Sequence, residues 1–524
     1  MEKIRVYFAQ TIKGLSDEKS RFIFLSTAVV MILAHGFCFM NVMYSHDSLG
    51  FADSSGVYKV SLGRWLNPFL LHRRYMASPW LMGMLSILYV SAAVVLVSKI
   101  LDLGKMQGLS AGILFGANIS LTALFCTYIY DADSDCLALF LACFSVYAFR
   151  KFPKVLNAAA AVFSLVACLA LYQPYICLAA GLFLLALIKD AAECEYRRDL
   201  LRAAAGGIKE LLVLLSAVLI YVPLMRAAAA YYGTDLSMDY NGAGNLSSLT
   251  LSDLIRAVPA AYGLFRDHFF RITAYNTGFI ARVNLLTALL ILLSLGLHLF
   301  CRKNRGSLIL ILPCLLLLPM GLNGVYLISN GVLHHLMIFA FCLVYLLPFL
   351  FKDPEEEREA GSRSPQKGIR RVRKAVGVLA AAAIICTGCH NIIYANGAYV
   401  NKKLVYDNTL LHAQTVWEDV NSIEGYEEGT TPVVFMGSFD DSDAAFYGTV
   451  GYRFLGEICG FYNSAITYPL TAEQFYNDIL GRRMKISQDR DGLAEDPEVL
   501  RMSAYPRSGY CRMIGDRVVV KMQD

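Results

Sequence analysis

The residues of this chain whose types and spacing point to chemistry lie in short polar segments between long apolar runs. The first segment reads Tyr44-Ser45-His46-Asp47-Ser48-Leu49-Gly50-Phe51-Ala52-Asp53, followed by Gly63-Arg64-Trp65 and then His72-Arg73-Arg74. Its only acids are Asp47 and Asp53. Asp47 sits just past the first apolar run, at the depth where a lipid phosphate would lie. A carboxylate there is partly desolvated, which raises its proton affinity, while neighbouring arginines pull it back. Such a group can take the proton of an attacking hydroxyl as a general base. The competing role for Asp47 is a helix cap, and for the arginines simple binding of lipid headgroups.

Three further segments carry polar groups of the same kind. Tyr130-Asp131-Ala132-Asp133-Ser134-Asp135 sets three carboxylates at i, i+2 and i+4. Oxygen ligands at that spacing can hold a divalent cation, although the glycine and terminal glutamate of an EF-hand are missing, and a solvated turn or a helix cap would look the same. A cation on Asp131, Asp133 and Asp135 is the one cofactor the sequence admits. Tyr172-Gln173-Pro174-Tyr175 separates two apolar runs, and proline suits the start of a helix. Its tyrosines read as interfacial aromatics, or, with Gln173, as partners for sugar hydroxyls. Arg226, and Arg266-Asp267-His268, sit close to apolar runs, where a basic residue either snorkels to the surface or meets an anion. Cys386-Thr387-Gly388-Cys389-His390 spells the attachment string of a c-type haem, but it falls within an apolar run and reads as packing. No Walker-type loop, no G-x-G-x-x-G after a strand and no nucleophile elbow occurs, so a nucleotide-binding domain is not expected.

The elements that must position these groups follow from composition. Of 524 residues, 56% are hydrophobic and 17% charged, and the apolar residues form unbroken runs rather than amphipathic stripes. A run of about 18 residues or more reads as a bilayer span. Runs at 22–43, 79–101, 109–129, 136–149, 155–171, 174–188, 211–230, 283–301, 307–322, 332–351 and 375–394 predict about eleven spans. Those at 136–149 and 174–188 are short for a ~30 Å hydrocarbon core. With the N-terminus in the cytoplasm, 25 Lys and Arg fall inside and 8 outside before the tail begins, as the positive-inside rule requires. The first run is too long for a cleaved signal peptide and lacks a cleavage site. The charged stretch 353–374 reads as an inside linker.

From residue 396 onward the balance turns acidic, with 12 Lys+Arg against 19 Asp+Glu, while the remainder carries 35 against 23. Two domains are therefore expected: a transmembrane domain over 1–395 and a small α/β domain outside the cytoplasm over 396–524. The tail shows helical periodicity over 399–423 and a buried strand over 432–436. Thr471-Ala472-Glu473-Gln474 reads as a capping box that opens a helix, and Val518-Val519-Val520 as a final strand at a sheet edge. Twelve of the 14 cysteines lie in or beside apolar runs and pack as small hydrophobes; only Cys459 and Cys511 fall in the tail. The fold class is an all-α polytopic membrane protein with that α/β domain appended.

The ordered set "HDSLGF" after the first span, "GRW", "YDADSD", "YQPY" between two spans and the closing "AYPRSGYCRMIGDRVVVKM" resembles the bacterial O-antigen glucosyltransferase family of Gtr type II, within the GT-C class of membrane glycosyltransferases. The resemblance runs nearly the length of the chain. It implies a GT-C-like helical fold in the bacterial cell membrane. It also implies a polyprenyl-phosphate-sugar donor, a surface polysaccharide acceptor and transfer of a hexose, glucose above all, at the extracytoplasmic face. The family's acidic pair maps onto Asp47, with Asp53 as the second member. Its Gly-Arg-Trp maps onto Gly63, Arg64 and Trp65, and its Tyr-Gln onto Tyr172 and Gln173.

The residues agree in physical sense. A lipid-phosphate donor needs cations for the departing phosphate, here Arg64, Arg73, Arg74 and Arg226. It also needs one carboxylate for the acceptor proton, and no nucleotide-binding domain. Partners are then the lipid-linked sugar, a glycan and membrane lipid, with no nucleic acid. A flippase or transporter for a lipid-linked sugar is the main alternative, and a polysaccharide polymerase or ligase the next. The eleven runs contain no Asp or Glu, which counts against a transporter with ionisable groups at the bilayer midplane.

Overall fold

The computed structural model describes residues 17–49, 56–71, 78–237, 250–273, 275–301, 305–327, 329, 333–351, 367–439, 465–466 and 469–523. Asp53, Arg73, Arg74 and Cys459 lie outside them. For Asp47 the backbone is described and the side chain is not.

Helices dominate. α1 (Glu18–Met40) opens on Asp17, whose carboxylate accepts the Ser20 amide at 2.7 Å and pairs with Lys99 at 2.6 Å. Two short helices, α2 (Val57–Ser61) and α3 (Asn67–Leu71), follow in the first polar segment. Then come α4 (Pro79–Ile100), α5 (Lys105–Gly116), α6 (Ile119–Thr127), α7 (Ala132–Lys151), α8 (Asn157–Leu171), α9 (Ile176–Glu193) and α10 (Arg197–Tyr232). α11 (Leu251–Phe270), α12 (Gly278–Cys301), α13 (Leu308–Leu322) and α14 (Lys367–Asn421) complete the helical part. Among the described residues eight helical stretches are long and apolar enough to cross a membrane, and three shorter apolar ones accompany them: Asn157–Leu171, Leu308–Leu322 and Phe339–Phe349.

Two expected spans come out longer than their apolar runs. The run at 136–149 belongs to the 20-residue α7, and the run at 174–188 to the 21-residue stretch Gln173–Glu193. Both helices continue into polar residues, Asp133 and Asp135 in one and Lys189 and Asp190 in the other. The run at 332–351 differs in kind. It forms 3₁₀ turns over His335–Met337 and then an 11-residue 3₁₀ segment over Phe339–Phe349, a winding rarely held beyond three or four residues.

The helix ends gather into two groups. One holds the ion pairs Lys99–Asp17, Lys105–Glu18 (3.2 Å), Arg150–Asp190 (3.0 Å), Arg150–Glu210 (2.7 Å) and Lys189–Asp102 (2.8 Å). The other, the Tyr172 end, joins α2, α3, the ends of α6, α8 and α10, and the residues after α10. There Leu66 N–H donates to Ala170 C=O at 3.1 Å and Ser237 N–H to Ser61 C=O at 2.9 Å. Close helix crossings depend on small residues, as in other membrane bundles. On α5, a Cβ at Gly112 would meet Thr27 Oγ1 of α1 at 2.5 Å, and one at Gly108 would overlap Ile23. The outward face of α10 is apolar and exposed at Leu211, Leu215 and Leu219, as expected of a surface in contact with lipid.

α14 spans 55 residues, carrying the apolar run 375–394 and continuing unbroken past residue 396. Beyond it lies a four-stranded sheet, order β2-β1-β4-β3, from β1 (Pro432–Met436), β2 (Lys485–Ile486), β3 (Cys511–Ile514) and β4 (Arg517–Lys521). β1 runs parallel to β2 and β4, and β3 antiparallel to β4. Alternate residues face opposite ways along a strand. Val433, Phe435, Val518 and Val520 thus join the core that includes Ala413, Val416 and Val420 of α14, while Val434 and Val519 pack on Leu493, Val499 and Met502. β4 is therefore interior, and the expected edge position is corrected: a Val-Val-Val run marks a strand covered on both faces. The expected capping box is corrected too. That helix starts at Pro469, which suits a first helical position, and leaves Thr471 inside it and buried.

Candidate active site

At the Tyr172 end the backbone turns sharply at Gly63, with φ of +82°. Glycine is the residue that enters this region without strain, and here space demands it as well. A Cβ on Gly63 would overlap the Tyr221 hydroxyl and come within 2.8 Å of Gln173 Nε2. Those two side chains lock the turn. Tyr221 O–H donates to Gly63 C=O at 2.9 Å, and Gln173 Nε2 donates to Leu62 C=O at 2.7 Å and to the Tyr221 hydroxyl at 3.1 Å. Gln173 lies in the 3₁₀ turn Gln173–Tyr175, and Tyr221 lies on a buried stripe of α10 with Met225 and Ala229.

The locked turn aims Arg64. Its guanidinium stacks over the Tyr172 ring, 4.7 Å from the centroid, a cation–π contact. Burial works against the charge on Arg64; Asp135, with Tyr172, Tyr128 and Asp131, more than offsets it and holds the group above its ordinary pKa. Arg64 is thus a permanent cation. Its Nε and the Trp65 Nε1 are shut from solvent with no hydrogen-bond partner.

Across from Arg64 stands the acidic turn. Asp131 pairs with Lys59 of α2 at 2.5 Å, both largely buried, and Lys59 also lies 5.6 Å from the Tyr128 ring centroid. Ser134 O–H donates to Asp131 C=O at 2.7 Å, fixing the first turn of α7. Asp133 and Asp135 are buried, and Asp135 Oδ1 has no hydrogen-bond partner. A buried carboxylate oxygen left so is costly unless a cation such as Arg64 faces it. Among the described residues no three His, Cys, Asp or Glu side chains converge on a point where a metal ion could be held. Of the three acids of this turn, Asp131 is paired with Lys59 and Asp135 lies in the field of Arg64.

Asp47 falls in the 3₁₀ turn His46–Ser48. That turn is tied to the end of α6 by Ser45 O–H, which donates to Thr127 C=O at 2.5 Å and pairs with Ser48 at 2.8 Å. The backbone of Asp47 therefore stands beside the segment 128–131 that carries Tyr128 and Asp131. A stack of Tyr44 on Tyr130, 5.6 Å apart, with Tyr406 of α14 at 6.0 Å, closes that side. Burial raises the Tyr130 phenol well above its usual range.

The structure thus brings Arg64, Tyr172, Gln173, Asp131 and Asp135 together, with Trp65 beside them. Arg226 lies apart: it is exposed, one residue past Met225 and off the buried stripe. Lys59 and Tyr221 are the participants the sequence reading missed. Lys59 is the only lysine in the first polar segment, which was its one signal. Tyr221 is a single phenol within an apolar run.

Cations fixed by aromatic and carboxylate neighbours at one end of a helix bundle are suited to meeting a phosphate held at a membrane face. No curated protein and no solved structure matches this chain. The family model described as Glucosyl transferase GtrII matches residues 36–351, which include every described residue of this cluster, and the chain belongs to that glucosyltransferase family.

Proposed function

We propose that the protein transfers a hexose, glucose, from a polyprenyl-phosphate-sugar to a cell-surface polysaccharide at the extracytoplasmic face of the bacterial cell membrane. One observation carries the reading: Arg64 is locked over Tyr172, opposite Asp135 and beside the Lys59–Asp131 pair, at the end of the bundle where the first polar segment folds. The Lys/Arg imbalance along the chain supports an outside position for that end, with the tail on the same side.

The reaction is a single displacement with inversion. The acceptor hydroxyl attacks the anomeric carbon from the face opposite the lipid phosphate. The new C–O bond forms as the bond to the phosphate oxygen breaks, and the electron pair leaves with the polyprenyl phosphate. The proton passes to the carboxylate of Asp47, with Asp53 as the second acid. Arg64 and Lys59 meet the growing phosphate charge, a preorganised electrostatic role that typically contributes several kcal/mol; Arg73 and Arg74 belong to the same basic segment. Asp131 and Asp135 hold the two cations in place. Tyr172 and Trp65 supply the amphipathic wall on which sugar and lipid phosphate meet.

The test compares surface glycans of cells with and without the gene by mass and linkage analysis, then complements with Arg64→Ala. Loss of one hexose branch, unrestored by the variant, is expected. Loss of whole polysaccharide chains would replace this reading with a flippase or polymerase.

A further inference from the structure

A second polar site lies away from Arg64. A cavity of about 60 Å³ opens between the end of α11, α12, the 3₁₀ segment Phe339–Phe349 and α14. Its polar lining includes His268, Asn276, Asn284, Tyr345, Thr387 and Asn391, and no charged side chain is among the described residues that line it. A single water needs about 10–15 Å³ on the same scale. The space therefore suits several hydroxyl-sized groups, and not a nucleotide or a prenyl chain.

The lining is pinned. Asn276 Nδ2 donates to Phe269 C=O at 3.1 Å and to Arg271 C=O at 2.8 Å, closing the end of α11. Asn284 Nδ2 donates to Phe269 C=O at 2.8 Å, and its Oδ1 takes the Tyr345 hydroxyl. Asn391 Nδ2 donates to Ala117 C=O at 2.9 Å, which leaves its Oδ1 with acceptor capacity. The 3₁₀ winding, three residues per turn, sets Cys342 and Tyr345 on one ridge toward the cavity.

His268 stands edge-on to Phe341, ring centroids 5.0 Å apart, and its Nδ1 is buried with no hydrogen-bond partner. Burial, with His335 nearby, holds the imidazole below its usual range, so the ring is neutral. A neutral ring nitrogen, a hydroxyl and fixed carboxamides offer donors and acceptors without charge, which favours hydroxyl groups over phosphate or a metal ion.

We propose that this cavity is a saccharide subsite, taking the hydroxylated face of one neutral hexose unit through His268, Thr387 and Asn391. The choice of a sugar rests on the glucosyltransferase reading above. The unit belongs either to the lipid-linked donor or to the acceptor glycan.

The experiment uses the purified full-length protein and methyl glucoside, observed by saturation-transfer NMR. Wild type, Arg64→Ala, His268→Phe and Thr387→Val are compared after size-exclusion chromatography shows each to be monodisperse. Wild type and Arg64→Ala should bind alike. His268→Phe should weaken binding about 10-fold and Thr387→Val about 3-fold, the scale of one lost hydrogen bond. In transfer assays His268→Phe should raise KM for the donor if the unit is the donor's sugar, or for the polysaccharide if it is the acceptor's. No saturation transfer to wild type, or binding retained in both cavity variants, overturns the subsite. Binding lost in His268→Phe from a protein that transfers no sugar would leave the subsite standing and remove the transferase reading.

Discussion

At the residue scale the site depends on a few side chains held by their neighbours rather than by the loop they belong to. Gly63→Ala introduces a Cβ that collides with the Tyr221 hydroxyl at a backbone φ of +82°. The left-handed strain of roughly 1–2 kcal/mol adds to an overpacking cost of about 1–3 kcal/mol. Turnover should fall at least 10-fold, with a lower Tm, because the Tyr221 and Gln173 side chains that lock the turn before Arg64 must give way. Tyr221→Phe is the gentler probe. It removes the hydrogen bond to Gly63 C=O, worth ~1 kcal/mol, and should lower kcat a few-fold while the protein stays folded. Asp47→Asn should cost about 10²–10⁴-fold in rate, the scale of a lost general base, with donor binding nearly unchanged. Should Asp47→Asn retain near-normal turnover and Asp135→Asn or Asp53→Asn lose it, the base would have to be reassigned.

At the scale of elements, the end of the bundle opposite the site is tied by charge. Arg150 bridges Asp190 of α9 and Glu210 of α10, with the Glu210 side chain buried. Removing one partner of a buried pair strands the other, at ~3–5 kcal/mol. Arg150→Ala should therefore lower thermal stability far more than Arg202→Ala, whose pair with Asp199 is exposed. The long helices that hold an apolar run were legible in the sequence, a signal that survives without partners; α11, whose apolar residues are interleaved with Asp253, Arg256 and Asp267, was not. Their polar ends were less so: Asp133 and Asp135 read as a turn because nothing in "YDADSD" says that Lys59 and Arg64 come to meet it. The segment 332–351 reads as an ordinary span, since periodicity cannot separate 3₁₀ from α winding in an all-apolar stretch. Val518–Val520 was legible as a strand but misplaced at an edge, because sheet order is set by contacts far along the chain.

At the scale of the whole molecule, transfer from a lipid-linked donor requires the Tyr172 end and the sheet domain on the same side, outside the cytoplasm. α14 links them, since the Tyr399 hydroxyl is hydrogen-bonded to His35 Nδ1 at 2.7 Å near the end of α1, and the Tyr406 ring lies tilted against Tyr44. A reporter active only outside the cytoplasm should work when fused after Asp524 and fail when fused near Gly361. The reverse pattern would put the site on the cytoplasmic face and remove the reason for a lipid-linked donor.

In the proposed reaction the glucosyl donor is a lipid phosphate and Arg64 receives its charge. The most direct measurement supplies purified protein in liposomes with polyprenyl-phosphate-glucose or, separately, with a nucleotide-linked glucose, and follows transfer to isolated surface polysaccharide. Transfer is expected from the lipid-linked sugar alone, with inverted anomeric configuration, and is expected to be lost in Arg64→Ala. Robust transfer from the nucleotide sugar with no lipid-linked intermediate present, or a product of retained configuration, would contradict that reaction.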